Sequence, residues 1–172
     1  MKTYICEICG DAYLGESKPP HCPFCGAREH FIKEGAEAHP IVNEEIEVSD
    51  KDRENLMETL HLEVNAVAEY KCMAGKTDKY EIKAMYKRLA KVESEHAEIV
   101  CKILKIEEPE APKVECSDED SENFEKTIAL EDNASVLYSK FAQETSDESL
   151  KKFFGALTVV EREHIDLINQ YI

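Results

Sequence analysis

An internal repeat constrains the fold of this chain more than any other feature. A shift of 68 residues places Glu63 on Glu131 and Glu93 on Glu161 without a gap. The same shift also matches Leu62 to Leu130, Asn65 to Asn133, Ala66 to Ala134, Tyr70 to Tyr138, Leu89 to Leu157 and His96 to His164. In both copies apolar residues recur at alternating spacings of three and four, which predicts amphipathic helices. Two such helix hairpins are expected to pack about a pseudo-twofold axis as one four-helix bundle.

The helix boundaries follow from local signals. The first helix is expected to begin at the N-capping pair Ser49 and Asp50 and to end at Gly75. The second follows the turn at 77–78, the third covers about 121–144, and the fourth runs from about 147 to the C-terminus. The prolines and charges of 107–120 predict an exposed connection between the two hairpins. Because the repeat makes the second and third helices parallel, this connection must run the length of the bundle.

Six residues with metal-binding side chains converge on one level of the predicted core. They are Glu63, Glu93, His96, Glu131, Glu161 and His164. An unpaired buried carboxylate is costly, and no Lys or Arg shares these helix faces, so cations must balance the four charges. One Glu from each of two helices and one Glu-x-x-His from each of the other two is the ligand pattern of di-iron and di-manganese bundles. The sequence therefore predicts a di-metal centre of iron or manganese, with zinc as a substitute.

Two tyrosines are candidate partners of these carboxylates. Tyr70 and Tyr138 each lie seven residues after a core glutamate, about 10 Å further along the same helix. Each hydroxyl is therefore expected to bind a carboxylate from another helix and to hold its orientation, or to deliver protons. A core tyrosine with some other partner is the alternative.

The N-terminal part of the chain carries two Cys-x-x-Cys-Gly motifs, twelve residues apart. Their cysteines are Cys6, Cys9, Cys22 and Cys25. Four thiolates at this spacing predict one tetrahedral metal site, although the residues alone leave iron and structural zinc open. We expect a small metal-stabilised domain over residues 1–40 and the helical bundle over 41–172.

The other cysteines and histidines fit no ligand pattern. Cys72, Cys101 and Cys116 have no counterparts in the repeat, and they are interpreted as incidental. The remaining histidines, which are interpreted as surface residues, are His21, His30, His39 and His61.

Composition limits the partners. The chain has 37 acidic and 21 basic residues, a net charge of −16, which disfavours nucleic acid and anionic membrane surfaces. The N-terminus MKTYICEICG lacks the apolar stretch of a signal peptide, and no segment is apolar enough to span a membrane. With four of seven cysteines in two paired motifs, thiolate metal binding in a reducing compartment explains them better than a disulfide framework. A cytoplasmic protein is expected.

On these residues the chain resembles the rubrerythrin family, and its domain order, cysteine module first, is similar to that of reverse rubrerythrins. The resemblance in the module is carried by Tyr4, Cys6, Cys9, Gly10, Tyr13, Cys22, Pro23, Cys25 and Gly26, and in the bundle by the four glutamates, two histidines and two tyrosines above. It implies a mainly α fold, a ferritin-like four-helix bundle preceded by a rubredoxin-like knuckle. It also favours iron in the cysteine site.

The resemblance further implies the reduction of hydrogen peroxide. Electrons would pass from an NAD(P)H-dependent reductase of the rubredoxin-reducing type through the cysteine-bound iron to the di-iron centre. Because the segment between the two domains is short, we expect a homodimer in which a partner subunit supplies the nearer cysteine site, with domains exchanged between chains.

One departure from the family pattern keeps other activities open. Rubrerythrins carry an additional glutamate one turn from the ligand of the third helix, where this chain has Ala134 and Ser135. The alternatives are an oxidase that reduces dioxygen to water, a ferroxidase or iron store, and a bundle with a purely structural zinc knuckle.

Overall fold

The fold is a helical bundle preceded by a small sheet, in a computed structural model that describes all residues, Met1–Ile172. The four helices are α1 (Asp50–Lys76), α2 (Tyr80–Leu104), α3 (Asp120–Glu144) and α4 (Glu148–Ile168). This architecture confirms the predicted fold class. No helix is both long enough and apolar enough to cross a membrane.

Local signals fix most helix ends where the sequence predicts them. The Ser49 side chain accepts a hydrogen bond from the backbone N–H of Asp52 (3.1 Å), and the Asp147 side chain accepts one from Leu150 (2.9 Å). The fourth helix is shorter than predicted, because the chain turns after Ile168. Tyr171 lies beyond the turn, where its ring packs against Phe124 at a centroid distance of 5.8 Å.

The connection between the hairpins returns to the end of the bundle from which α2 starts. Lys79, which precedes α2, pairs with Asp120 at the start of α3 (2.9 Å), and Lys76 at the end of α1 pairs with Asp118 (2.7 Å). Helices α2 and α3 therefore begin at the same end and run parallel, as the repeat requires.

A disulfide bond between Cys72 of α1 and Cys116 of the connection corrects one expectation. The interpretation of these two cysteines as incidental was wrong. Their Cα atoms lie 6.0 Å apart although 44 residues separate them in sequence, because the connection folds back along α1. Spacing along the chain could not reveal this pair. Cys101 is a free, buried thiol.

The cysteine module is built on a three-stranded antiparallel sheet with strand order β2-β1-β3. The strands are β1 (Lys2–Cys6), β2 (Ala12–Gly15) and β3 (Ile32–Glu34). Short 3-10 turns over Glu29–Phe31, Gly35–Glu37 and Ile41–Asn43 complete the module and lead toward the bundle. The backbone N–H of Ile41 donates to the carbonyl of Glu7 (2.9 Å), so the chain stays attached to the module as it leaves it.

Two apolar cores lie on either side of the glutamates. The larger, of 25 buried residues, joins the module to the start of α1 and the end of α2, with Ile8, Leu56 and Ile99 among its members. The smaller, of 11 residues, fills the opposite end around Tyr70 and Tyr86. The module and the bundle thus share one core, and burial of apolar surface between them stabilises their contact.

Candidate metal centres

The six predicted ligands of the bundle come together in two overlapping groups. One group contains Glu63, Glu93, His96 and Glu161, and the other contains Glu93, Glu131, Glu161 and His164. Within each group the candidate ligand atoms lie within 4.8 Å of one another. Glu93 and Glu161 belong to both groups, so their carboxylates lie between the two candidate metal positions and could contact a cation at either one.

Buried atoms without hydrogen-bond partners indicate that this cluster binds cations. Both carboxylate oxygens of Glu93 and of Glu161 are buried without a hydrogen bond, as are the Nδ1 atoms of His96 and His164. Each His Nδ1 lies 3.0 Å from the glutamate three residues before it, yet forms no hydrogen bond. Orphaned buried groups of this kind are rare in folded proteins and need an explanation. Two divalent cations would satisfy all of them.

The pKa values of groups in the metal-free cluster show that the negative charge of its buried carboxylates is unfavourable. Burial raises the pKa of Glu63 to about 7 and, with repulsion from Glu93, raises that of Glu161 well above its usual range. Burial acts to lower the pKa of His96 and of His164, but nearby carboxylates raise both well above the usual range. Without metal the cluster therefore holds protons where cations are needed.

The two tyrosines bind carboxylates across the bundle, as the sequence predicts. The Tyr138 hydroxyl donates to Glu63 (2.6 Å), and the Tyr70 hydroxyl donates to Glu131. Each bond joins one hairpin to the other. Burial raises the pKa of both phenols well above the usual value, so both keep their protons and act as donors.

The four cysteines of the module form a second buried cluster. The sulfurs of Cys6 and Cys25 lie 3.7 Å apart, as do those of Cys9 and Cys22. A tetrahedral ion with metal–sulfur bonds of about 2.3 Å requires sulfur separations of about 3.8 Å, so the geometry fits one ion. Hydrogen bonding to the neighbouring sulfur of Cys22, with burial in addition, raises the pKa of the Cys9 thiol, so metal binding must release a proton there.

Each Cys-x-x-Cys-Gly segment, residues 6–10 and residues 22–26, forms a tight turn that we call a knuckle. The glycine of the second knuckle lets it approach the bundle closely. Gly10 and Gly26 have φ angles of 85° and 79°, and their N–H groups donate to the carbonyl oxygens of Cys6 (2.9 Å) and Cys22 (3.0 Å). A Cβ atom at Gly26 would lie 2.9 Å from Val160 of α4. The second knuckle therefore packs against the bundle more closely than a side chain would permit.

One hydrogen bond connects the two clusters directly. His96 Nε2 lies 2.8 Å from the carbonyl oxygen of Cys25. Because a carbonyl only accepts, Nε2 carries a proton, and Nδ1 is the nitrogen that faces the carboxylates and can bind a cation. The module thus sets the tautomer of a bundle ligand in its own chain, which no sequence signal indicated. Arg28 reinforces the contact through an ion pair with Glu163 of α4 (2.7 Å).

A small cavity touches the carboxylate cluster from the α1 and α3 side. Its volume is about 20 Å³, and its lining includes Glu63, Glu131, Tyr138 and the repeat-related pair Ala66 and Ala134. The methyl groups of this pair leave room that a longer side chain would fill. The cluster therefore has the cysteine module on one side and a narrow apolar approach on the other.

The other predicted residues lie outside these clusters. The histidines interpreted as surface residues, namely His21, His30, His39 and His61, are all exposed. The geometry defines a class of protein: a ferritin-like helical bundle that suits a di-iron centre, joined to a knuckle that suits a mononuclear iron.

Comparison with known proteins places the chain within that class. The Rubrerythrin family model matches residues 54–170, and the chain belongs to the rubrerythrin family. It is 33% identical over 113 residues to a protein named Reverse rubrerythrin-1 from Clostridium acetobutylicum, a match covering 60% of this chain and 62% of that relative. The match thus spans less than two thirds of the relative's length. No solved structure matches the chain.

Proposed function

We propose that the protein is a non-haem di-iron peroxidase that reduces hydrogen peroxide to water with electrons delivered through its cysteine-bound iron. The observation that carries the proposal is the hydrogen bond from His96 to the Cys25 carbonyl, because it links the two candidate iron sites within one chain. Family membership supports a di-iron protein of oxidative stress defence.

The metal ligands in this proposal are the residues that the two clusters contain. Cys6, Cys9, Cys22 and Cys25 would hold the mononuclear iron, and the di-iron centre would be held by Glu63, Glu93, His96, Glu131, Glu161 and His164. When bound, the iron pair supplies two electrons, so that hydrogen peroxide and two protons yield two molecules of water. An NAD(P)H-dependent reductase is the source of the electrons that return through the knuckle.

The protein's own side chains orient the ligands and manage protons. Tyr138 lines the cavity with its hydroxyl hydrogen-bonded to Glu63, so it is the catalytic residue of the proposal, which relays a proton toward a substrate in the cavity. Tyr70 does not line the cavity, and its bond to Glu131 positions that ligand. At about 20 Å³ the cavity has room for little more than one water-sized molecule, which suits a substrate no larger than peroxide.

The cysteine module meets the bundle of its own chain, so the electron route needs no second subunit. The contact consists of the His96 bond, the close approach of Gly26 to Val160, and the ion pair of Arg28 with Glu163. A homodimer with exchanged modules would form the same contact between chains, and it stays a prediction. We also keep a cytoplasmic location as a proposal, because four assembling thiolates need reducing conditions, which the Cys72–Cys116 disulfide must then resist.

Stopped-flow mixing of fully reduced, iron-loaded protein with peroxide and with dioxygen tests the proposed reaction. We expect reoxidation by peroxide to be faster by about 10-fold or more at equal concentrations, a barrier difference of about 1.4 kcal/mol. Faster reoxidation by dioxygen would instead identify the oxidase that the sequence left as an alternative.

Replacing Cys9 with Ser tests the electron route. The variant should lose the red ferric-thiolate absorption and reduction by the reductase, yet keep its bundle metals and their reaction with peroxide after chemical reduction. Cys101→Ser is the matched control, since that thiol is buried and belongs to neither cluster. Unchanged reduction of the Cys9 variant would contradict the route.

A further inference from the structure

An acidic protein carries one groove lined by positive charge. The groove lies between α1 and α2, has a volume of about 580 Å³, and is lined by Lys71, Lys87, Arg88 and Lys91, with only Ala84, Ala90 and Ser94 besides. No carboxylate lines it, although the chain has a net charge of −16. We call this surface the basic groove.

The charges of the basic groove are not compensated within the chain. None of its four cationic side chains forms an ion pair, whereas Lys102 on the same helix pairs with Glu98 (2.8 Å). Lys87 and Lys91 are four residues apart on an exposed helix face, where like charges repel and destabilise the helix slightly. These four cations do not stabilise the fold through ion pairs. A negatively charged ligand is therefore expected to bind them.

The position of the basic groove connects it to the cysteine site. Arg88 Nη2 donates to the carbonyl oxygen of Phe24, at 3.3 Å. Phe24 lies between Cys22 and Cys25 in the second knuckle and is half-buried, whereas both cysteines are almost fully buried. A partner seated on the basic groove therefore reaches the surface of the knuckle, where an electron can pass to the buried sulfurs.

We propose that the basic groove is the docking surface of an acidic one-electron carrier protein that reduces the cysteine-bound iron. The proposal rests on the proposed function, because it assumes a redox-active ion in the knuckle. An acidic partner is repelled by most of this surface and attracted at the groove, which orients the encounter beside Phe24. Nucleic acid does not fit, because the long-range field of the chain is negative and no aromatic side chain lines the groove to stack bases.

Charge reversal in the basic groove tests the docking surface. The variant K87E/K91E is compared with K18E/K113E, which changes the net charge equally at exposed lysines that form no ion pair and lie outside the groove. Photoreduced flavodoxin, an acidic one-electron donor, is mixed with each iron-loaded protein at low salt while bleaching of the ferric-thiolate absorption is followed. We expect K87E/K91E to lower the second-order rate constant about 10- to 100-fold and K18E/K113E to lower it far less.

Reduction by a cationic donor provides the opposite readout. Reduced methyl viologen, a small cation, should bleach K87E/K91E at least as fast as the wild type, which excludes damage to the cysteine site. Added salt should slow flavodoxin with the wild type, because it screens the attraction at the groove, and should speed it with K87E/K91E, where only repulsion is left to screen. Equal slowing in both reversed variants, or no slowing in either, would overturn the proposal.

Two further measurements separate this proposal from the proposed function. Binding of oxidised flavodoxin to the zinc-loaded protein, followed by NMR shift changes at low salt, needs no redox chemistry and should be lost only in K87E/K91E. Peroxide reoxidation of viologen-reduced protein tests the peroxidase independently of any docking. A peroxidase that fails while the NMR shifts persist leaves the docking surface in place, and shifts that persist in K87E/K91E refute the docking surface alone.

Discussion

The hairpins α1–α2 and α3–α4 are alike where they face the carboxylate cluster and differ where they face outward. On the inside, both histidines present Nδ1 to the cluster, and each tyrosine binds a glutamate of the other hairpin. On the outside, His96 Nε2 is bound to Cys25, whereas His164 forms no hydrogen bond with the protein. A duplicated unit thus keeps the positions that its shared site needs twice, while its outer surface diverges with whatever packs on it.

The largest expected effect tests the equivalence of the two hairpins at the metals. Glu93→Ala and Glu161→Ala should each remove both bundle metals, since each residue belongs to both ligand groups. Glu63→Ala and Glu131→Ala remove a ligand from one group only, and each should keep one metal more readily. Elemental analysis of iron-loaded variants, with circular dichroism as the folding control, measures this. Full retention of one metal in Glu161→Ala would show that it does not bridge.

The pH dependence of stability in the metal-free protein measures the free-energy cost of burying carboxylates from both hairpins. The raised pKa of Glu63, about 7, means that stability present below the unfolded value near 4.5 is lost as pH rises toward 7. The raised pKa values of both histidines act in the same direction, since their stabilisation is lost as pH climbs through the folded values.

Thermal melts of metal-free protein should therefore show stability falling from about pH 5 upward, by about 1.4 kcal/mol per pH unit for each proton that the folded state holds in excess. Replacing the four cluster glutamates with Gln should relieve the loss. A melting temperature that stays level or rises between pH 5 and 7 would mean that the carboxylates are solvated.

The disulfide joins the first hairpin to the connection and has no counterpart in the second hairpin, because the repeat places Lys140 opposite Cys72. Cys72→Ser should lower the free energy of unfolding by about 2–4 kcal/mol, since it frees a loop of 44 residues in the unfolded chain. Lys140→Ser, at an exposed position, should cost about 0.5 kcal/mol or less. Urea denaturation with and without reductant measures these free energies of unfolding. Wild type under reductant should have the same stability as Cys72→Ser.

The crossed tyrosines should give a smaller and symmetric effect. Tyr70→Phe and Tyr138→Phe each leave one buried carboxylate without its donor, at a cost of about 1–2 kcal/mol in metal-free protein at neutral pH. Chemical denaturation of the two variants should agree closely. A clear difference between them would break the internal symmetry, and would locate the more exposed side of the cluster.

The smallest effect concerns the outer nitrogens of the histidines. In protein with Co(II) in the bundle, paramagnetic NMR should show one His N–H that exchanges slowly, from His96, and one that exchanges fast, from His164. Gly26→Ala pushes the knuckle away from Val160, so the slow signal should speed up. Gly75→Ala, where an added Cβ meets nothing within 4 Å, is the control. Two equally fast signals in wild type would refute the asymmetry.

The sequence predicted the fold and the cluster because both depend on periodic patterns. The alternating spacing of three and four predicted which faces of the helices are buried, and the repeat predicted which residues meet at one level of the bundle. The glutamates at 63 and 131 were recognisable because buried charge without a basic partner is costly and therefore informative. The cysteine motifs were recognisable for a similar reason, since two equal spacings with following glycines rarely arise without a metal.

What the sequence did not predict depends on packing between segments that no spacing relates. The Cys72–Cys116 bond arises from the path of the connection across α1. The bond of His96 to Cys25 arises from the close approach of the knuckle to the bundle, which is possible because Gly26 has no side chain to meet Val160. The early end of α4 reflects the packing of Tyr171 on Phe124 rather than a helix-breaking residue.

The crossed bonds from Tyr70 to Glu131 and from Tyr138 to Glu63 bear on how such a chain could arise. The glutamate of each hairpin is bound by the tyrosine of the other hairpin. One hairpin alone therefore has an incomplete site. Two identical copies related by a twofold axis would complete each other. A gene for a single hairpin would thus already encode a working dimer, and fusion of two such genes through a connecting segment would preserve the site while freeing each half to evolve its own exterior.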